Sequence, residues 1–133
     1  MEDINYQLER FLQSSSRHFM NRDLVSIAGL LHDNFAFNFY LNNEGRRRVV
    51  KGGKEDFLNI YREFFMSGTK YPSWEYKIIH AKRTVLGNIK GILLFSCTSQ
   101  FEDELPSKSI NIENIVCTIK NGNLRLRKLE TRM

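Results

Sequence analysis

The chain is poor in cysteine, proline and histidine, with two, two and three of them in 133 residues. Two cysteines, Cys97 and Cys117, leave no room for a disulfide framework. Without a CxxC pair or a Cys/His cluster, a zinc site has no support either. Both cysteines fall inside strand-like runs and read as buried free thiols. The two prolines fall in breaks, Pro72 after a helical run and Pro106 in a polar loop. No apolar run approaches the roughly 20 residues of a membrane-spanning helix. The first residues, Met1-Glu2-Asp3-Ile4-Asn5, are acidic and lack the basic-then-apolar order of a secretion signal, so a cytoplasmic location is expected. Repeats, low-complexity stretches and interdomain linkers are missing as well.

What is present suits one globular domain spanning residues 1–133. The hydrophobic fraction of 41% is ordinary for such a domain and argues against disorder. The net charge is +5. Arg46-Arg47-Arg48 forms one basic knot, and Arg125, Arg127, Lys128 and Arg132 form a second group. Such groups can attract phosphates or another acidic partner. The plainer reading, a solvated loop and a solvated strand face, is the preferred one. The aromatics follow core periodicity and are not interleaved with the basic residues, which weighs against nucleic acid as the partner.

The strongest pattern lies mid-chain. Phe57, Ile60, Tyr61, Phe64 and Phe65 recur at i, i+3, i+4, i+7 and i+8 after the break Gly52-Gly53. That spacing lays one aromatic stripe along a helix, and so apolar a face needs a cover. Upstream, Ile4, Leu8, Phe11, Leu12, Ser15 and Phe19 form a one-sided helical stripe over residues 3–19, weakened near its end by Ser14-Ser15-Ser16. Asn21 or Asp23 can cap a second helix carrying Leu24, Ile27, Ala28 and Leu31. Phe35-Ala36-Phe37-Asn38-Phe39-Tyr40 alternates like a half-buried strand, with Tyr40 on the face opposite the three phenylalanines. Asn42-Asn43-Glu44-Gly45 and the arginine knot read as a loop.

From Trp74 the period changes to two. Strands are expected over 75–85, 89–101, 109–120 and 124–131. Leu86-Gly87-Asn88 supplies a tight turn, and Asn121-Gly122 is a type I′ hairpin signal. The order helix, helix, strand, helix, four strands predicts an α+β fold, with helices on one face of a strongly curved, mainly antiparallel sheet.

Three stretches carry a family resemblance. Residues 21–35, NRDLVSIAGLLHDNF, are similar to a helix-to-strand passage; 51–57, KGGKEDF, to a glycine-then-helix start; and 115–124, IVCTIKNGNL, to a final hairpin. In this order the chain resembles the nuclear transport factor 2-like superfamily, which includes the SnoaL-like polyketide cyclases. The resemblance covers nearly the whole chain. It implies a cone in which three N-terminal helices pack on the curved sheet around an apolar cavity. It also implies a homodimer through the sheet's outer face, and it fixes no chemistry, because this fold hosts many activities.

The resemblance can be tested against catalytic patterns residue by residue. The ketosteroid-isomerase-like tyrosine, base and second acid fall near Ser15, Phe39 and Ile115, so those roles are empty here. No match to the limonene-epoxide-hydrolase-like Asp–Arg–Asp set is found. Tyr61, His80 and Glu113 imitate the scytalone-dehydratase-like set only loosely.

From the residues themselves, Glu113, His80 and Tyr61 are the candidate catalytic groups. Glu113 shares strand parity with Ile115, Cys117 and Ile119, and burial there would suit it to general-base work. Each also has a plain structural reading: a rim carboxylate, an exposed histidine and a core tyrosine. His32 and Asp33 read as turn residues. The expected cavity lining is Phe35, Phe37, Phe39, Phe57, Tyr61, Phe64, Trp74, Ile115 and Cys117, with Trp74 either a lid or a packing residue. Ser96, Thr98, Asn114, Val116, Thr118 and Leu126 are candidates for the dimer face. No metal or organic cofactor is implied. The expected ligand is a small apolar molecule. The leading expectation is binding without catalysis, or a role as a dimeric interaction module; the alternative is acid–base isomerisation, dehydration or cyclisation of an apolar substrate.

Overall fold

In a computed structural model, residues 3–132 are described, apart from the side chain of Asn43. Helix α1 spans Ile4–Met20 and opens where the Asp3 carboxylate accepts the Asn5 N–H. It buries Leu8, Leu12, Ser15 and Phe19, the stripe its sequence predicts. The serine run does not break the helix: the Ser16 hydroxyl donates back to the Leu12 carbonyl, and Ser14 hydrogen-bonds His18. Helix α2, Leu24–Leu30, is capped by Asp23, which accepts from both the N–H and the hydroxyl of Ser26. Those bonds hold the Asp23 carboxyl below its ordinary range. Helix α3, Lys54–Met66, starts where the Asp56 carboxylate accepts the Gly53 N–H at 2.9 Å.

Six strands form one sheet: β1 Leu31–Asn43, β2 Arg46–Gly53, β3 Thr69–Arg83, β4 Ile89–Phe101, β5 Ser107–Lys120 and β6 Asn123–Arg132. Their order is β2-β1-β6-β5-β4-β3, antiparallel throughout except for the parallel pair β1/β6. Strand β2 corrects the loop expected at the arginine knot. Glu44 and Gly45 both take positive φ, which is type I′ geometry, and Arg46 pairs directly with Asn43. The three arginines show no apolar alternation because they lie exposed on an edge strand, where charge discourages further pairing. Asn121 and Gly122 form the second turn of this kind, as their dipeptide predicts.

Two of the sheet's four register shifts among the described residues turn over residues whose face alternation alone would misplace. In β3, Ile78 opposes Leu93 but His80 already opposes Ile92, so the register slips at Ile79. In β6, Val116 opposes Lys128 whereas Cys117 opposes Leu126, so Arg127 is the extra residue. Simple alternation from Trp74, Tyr76 and Ile78 would turn His80 inward. After the bulge Ala81 is the half-buried residue and His80 is exposed. Leu126 is turned inward in the same way, which removes it from the outer face where parity had placed it.

The core lies between the helices and the inner sheet face. Phe57 of α3 meets Phe35, Phe37 and Phe39 of β1 with ring centroids 5.1–6.2 Å apart. Phe19 of α1 stacks on Trp74 of β3 at 4.2 Å and 2°. Gly91 lets α1 approach β4 closely: a Cβ there would stand 3.3 Å from Leu8 Cδ2 and 3.2 Å from Ile115 Cγ1. No helix among the described residues is long and apolar enough to cross a membrane.

Candidate functional site

Between the helices and the sheet lies a mainly apolar cavity of about 860 Å³. α1 contributes Phe11, Leu12, Ser15 and Phe19; α2 contributes Ile27 and Leu30; α3 contributes Phe57, Ile60, Tyr61 and Phe64 among others; and residues of all six strands complete the lining. Of the lining expected from the sequence, Phe39, Phe57, Tyr61, Phe64, Trp74 and Ile115 reach this space. Phe35, Phe37 and Cys117 face inward but are sealed in packed core and do not line it. Strand parity tells inward from outward. It cannot tell which inward positions the helices cover. Trp74 is buried, so its role is packing and lining. Both cysteines are free and buried; burial raises each thiol, Cys117 to about 12.

Glu113 stands in this apolar wall with 5% of its surface exposed. Its strand neighbours on the inner face are Asn111 and Ile115, and it pairs across the sheet with Leu93 and Thr131. The Thr131 hydroxyl donates to Glu113 Oε2 at 2.6 Å. Burial pushes the carboxyl from its ordinary 4.5 up to about 7, and the Thr131 bond restrains the rise. Near neutral pH the group therefore exists in both protonation states, the condition for accepting and returning a proton.

Three tyrosines share the cavity. Burial raises Tyr61 well above its ordinary value; Tyr71 and then Glu113 add to the rise. Tyr76 is raised by burial and then by the Glu113 charge, while bonds from Trp74 and Ser15 oppose this. The Trp74 Nε1–H donates to the Tyr76 hydroxyl at 2.8 Å. Tyr71 is pushed up to about 12 by burial. All three are neutral phenols at physiological pH and can donate a hydrogen bond to an oxygen that gains charge.

The structure brings Tyr61 and Glu113 to one space and leaves His80 outside it, exposed beyond the β3 bulge. The loose Tyr61–His80–Glu113 set is therefore not assembled. Ser15, Phe39 and Ile115, the positions of the ketosteroid-isomerase-like groups, do line the cavity. Glu113 sits one inward position before Ile115. Thr131 and Tyr76 escaped the sequence reading. The alternation Leu129, Thr131 signals an inward threonine, but its partner is fixed only by strand register. His32 and Asp33 have local roles: His32 Nδ1 accepts the Asn34 N–H, and Asp33 meets Lys54 at 3.8 Å. Tyr40 faces outward under the Arg132 guanidinium, 4.8 Å from its ring centroid. Among the described residues, no group of three or more His, Cys, Asp or Glu is placed to hold a metal ion.

No protein-family model matches the chain, and no curated protein matches its sequence. Solved structures do share its fold. A conserved protein from Planctomyces limnophilus DSM 3776 superposes with a TM-score of 0.81 at 11% identity, over 97% of this chain and 94% of its own. A ketosteroid isomerase-like protein from Erwinia carotovora atroseptica SCRI1043 gives 0.74 at 13%, over 99% and 97%. A nuclear transport factor 2-like protein of unknown function in nutrient uptake from Rhodospirillum rubrum ATCC 11170 gives 0.71 at 15%, over 99% and 98%. The chain has the α+β fold of the nuclear transport factor 2-like superfamily. Likeness at this level of identity carries the fold alone.

Proposed function

We propose that the protein binds an apolar, ring-bearing small molecule in its cavity and that Glu113 exchanges a proton with it. The observation that carries this reading is a carboxyl buried in an apolar wall, bonded to Thr131 and raised to about 7. The aromatic lining, with Phe19 stacked on Trp74 and Trp74 beside Phe95 at 4.7 Å, suits a flat apolar ligand. In an enolising step, ionised Glu113 takes a proton from the carbon beside a carbonyl. Neutral Tyr61 donates a hydrogen bond to the oxygen that becomes negative. Glu113 then returns the proton to the same or another carbon of the conjugated system, which gives exchange or isomerisation. The fold shared with a ketosteroid isomerase-like protein fits this chemistry without supplying its residues.

Solvent deuterium uptake by 2-tetralone, a bicyclic ketone, tests the reading by proton NMR. The wild-type protein accelerates uptake above buffer, and Glu113→Gln abolishes the acceleration while the ketone still raises the melting temperature. A ketone that binds but exchanges no faster than in buffer would leave binding without catalysis.

A second reading, a homodimer through the outer sheet face, rests on a different observation. Ile92 and Leu94 of β4 and Ile110 and Ile112 of β5 are exposed side by side on that face. Ser96, Thr98, Asn114, Val116 and Thr118 alternate with the inward residues and share it. Both readings can hold in one molecule.

A further inference from the structure

A second concavity, about 680 Å³, lies on the other side of α1. Its walls are α1, the end of α2 and the β5–β6 hairpin, and Phe11 and Leu30 separate it from the apolar cavity. Its character is opposite. Arg10 and Arg17 enter from α1 and Arg125 from β6, accompanied by the amides of Gln13 and Asn123, and among the described residues no carboxylate lines it. Among the described residues the one ion pair is Lys54–Asp33, so none of the three guanidiniums is matched by a carboxylate. Arg125 is half-buried, which strengthens its field relative to a fully solvated cation.

We propose that this groove binds an oligophosphate, a small molecule carrying a string of phosphate groups. Each guanidinium offers five N–H donors in a planar fork and accepts nothing, so the occupant must be rich in acceptors and negative charge. Arg10 and Arg17 leave the helix seven residues apart, roughly 10 Å along its axis. A chain of linked phosphates engages both and Arg125 together, whereas a single phosphate satisfies fewer of them. The arginine knot on β2 lies on an open strand edge and lines neither concavity, so it offers charge without a binding shape. This site is independent of the proton-transfer reading and stands or falls separately.

Calorimetric titration of the whole protein with sodium tripolyphosphate at low ionic strength tests it. The expected result is one site per chain, tighter for tripolyphosphate than for orthophosphate. Arg17→Gln and Arg125→Gln should each weaken binding roughly tenfold, Arg17→Lys less, and Arg46→Gln not at all. Melting curves verify that the variants are folded; Arg17 is exposed, so its replacement leaves the core intact. Absence of binding at low salt would overturn the proposal. So would binding that Arg46→Gln reduces as much as Arg17→Gln, which would mean diffuse attraction. Equal affinity for a tetraglutamate peptide would overturn the oligophosphate in favour of an acidic protein segment.

Discussion

A carboxyl buried at Glu113 ties the stability of the fold to pH. Its folded value near 7 lies above its ordinary 4.5, so between those values the folded protein holds a proton that the unfolded chain has released. Stability must then fall as pH rises from about 4.5 to 7 and level off above. The loss amounts to roughly 3 kcal/mol. Glu113→Gln, compared with wild type by urea unfolding at pH 5 and pH 8, should remove this component and leave the variant the more stable at pH 8. An unchanged difference between the two pH values would contradict the burial of the charge. At this scale the sequence was partly legible. Glu113 could be placed on the inner face from its parity with Ile115 and Cys117. The same logic fails for His80 and Leu126, because a bulge adds one residue and the strand turns over. Nothing in Ile78-Ile79-His80 or Leu126-Arg127-Lys128 announces the extra residue.

Among the elements, the helices were the most legible. The spacing of Leu8, Leu12, Ser15 and Phe19, and of Phe57 and Tyr61, is imposed by helix geometry and survives in the structure. Phe64 falls at the edge of its stripe and remains exposed while lining the cavity. Strand β2 was not legible, since an edge strand has no need of an apolar face. How closely α1 sits against the sheet depends on a single atom missing at Gly91. Gly91→Leu would drive a side chain into Leu8 and Ile115, and should cost about 1–3 kcal/mol through overpacking. A thermal melt monitored by circular dichroism reads this. A variant as stable as wild type would mean that α1 can shift away freely.

For the whole molecule, two surfaces set the expected behaviour. The exposed Ile92, Leu94, Ile110 and Ile112 should hold two copies together, so sedimentation should show a dimer that Ile112→Lys converts to monomer. A wild-type monomer at high concentration would dismiss that interface. The cavity is the other surface, and its existence was legible only as a consequence of the fold. Which aromatics fill the core and which leave it hollow depends on how far α1 and α3 stand from the sheet. The most direct test of the account follows the Glu113 carboxyl carbon by NMR from pH 4 to 9, free and saturated with an apolar ligand such as 2-naphthol. The prediction is a titration midpoint near 7 in the free protein that moves when the ligand fills the cavity. A midpoint near 4.5, indifferent to the ligand, would contradict it, since Glu113 would then face bulk water and have no part in the cavity.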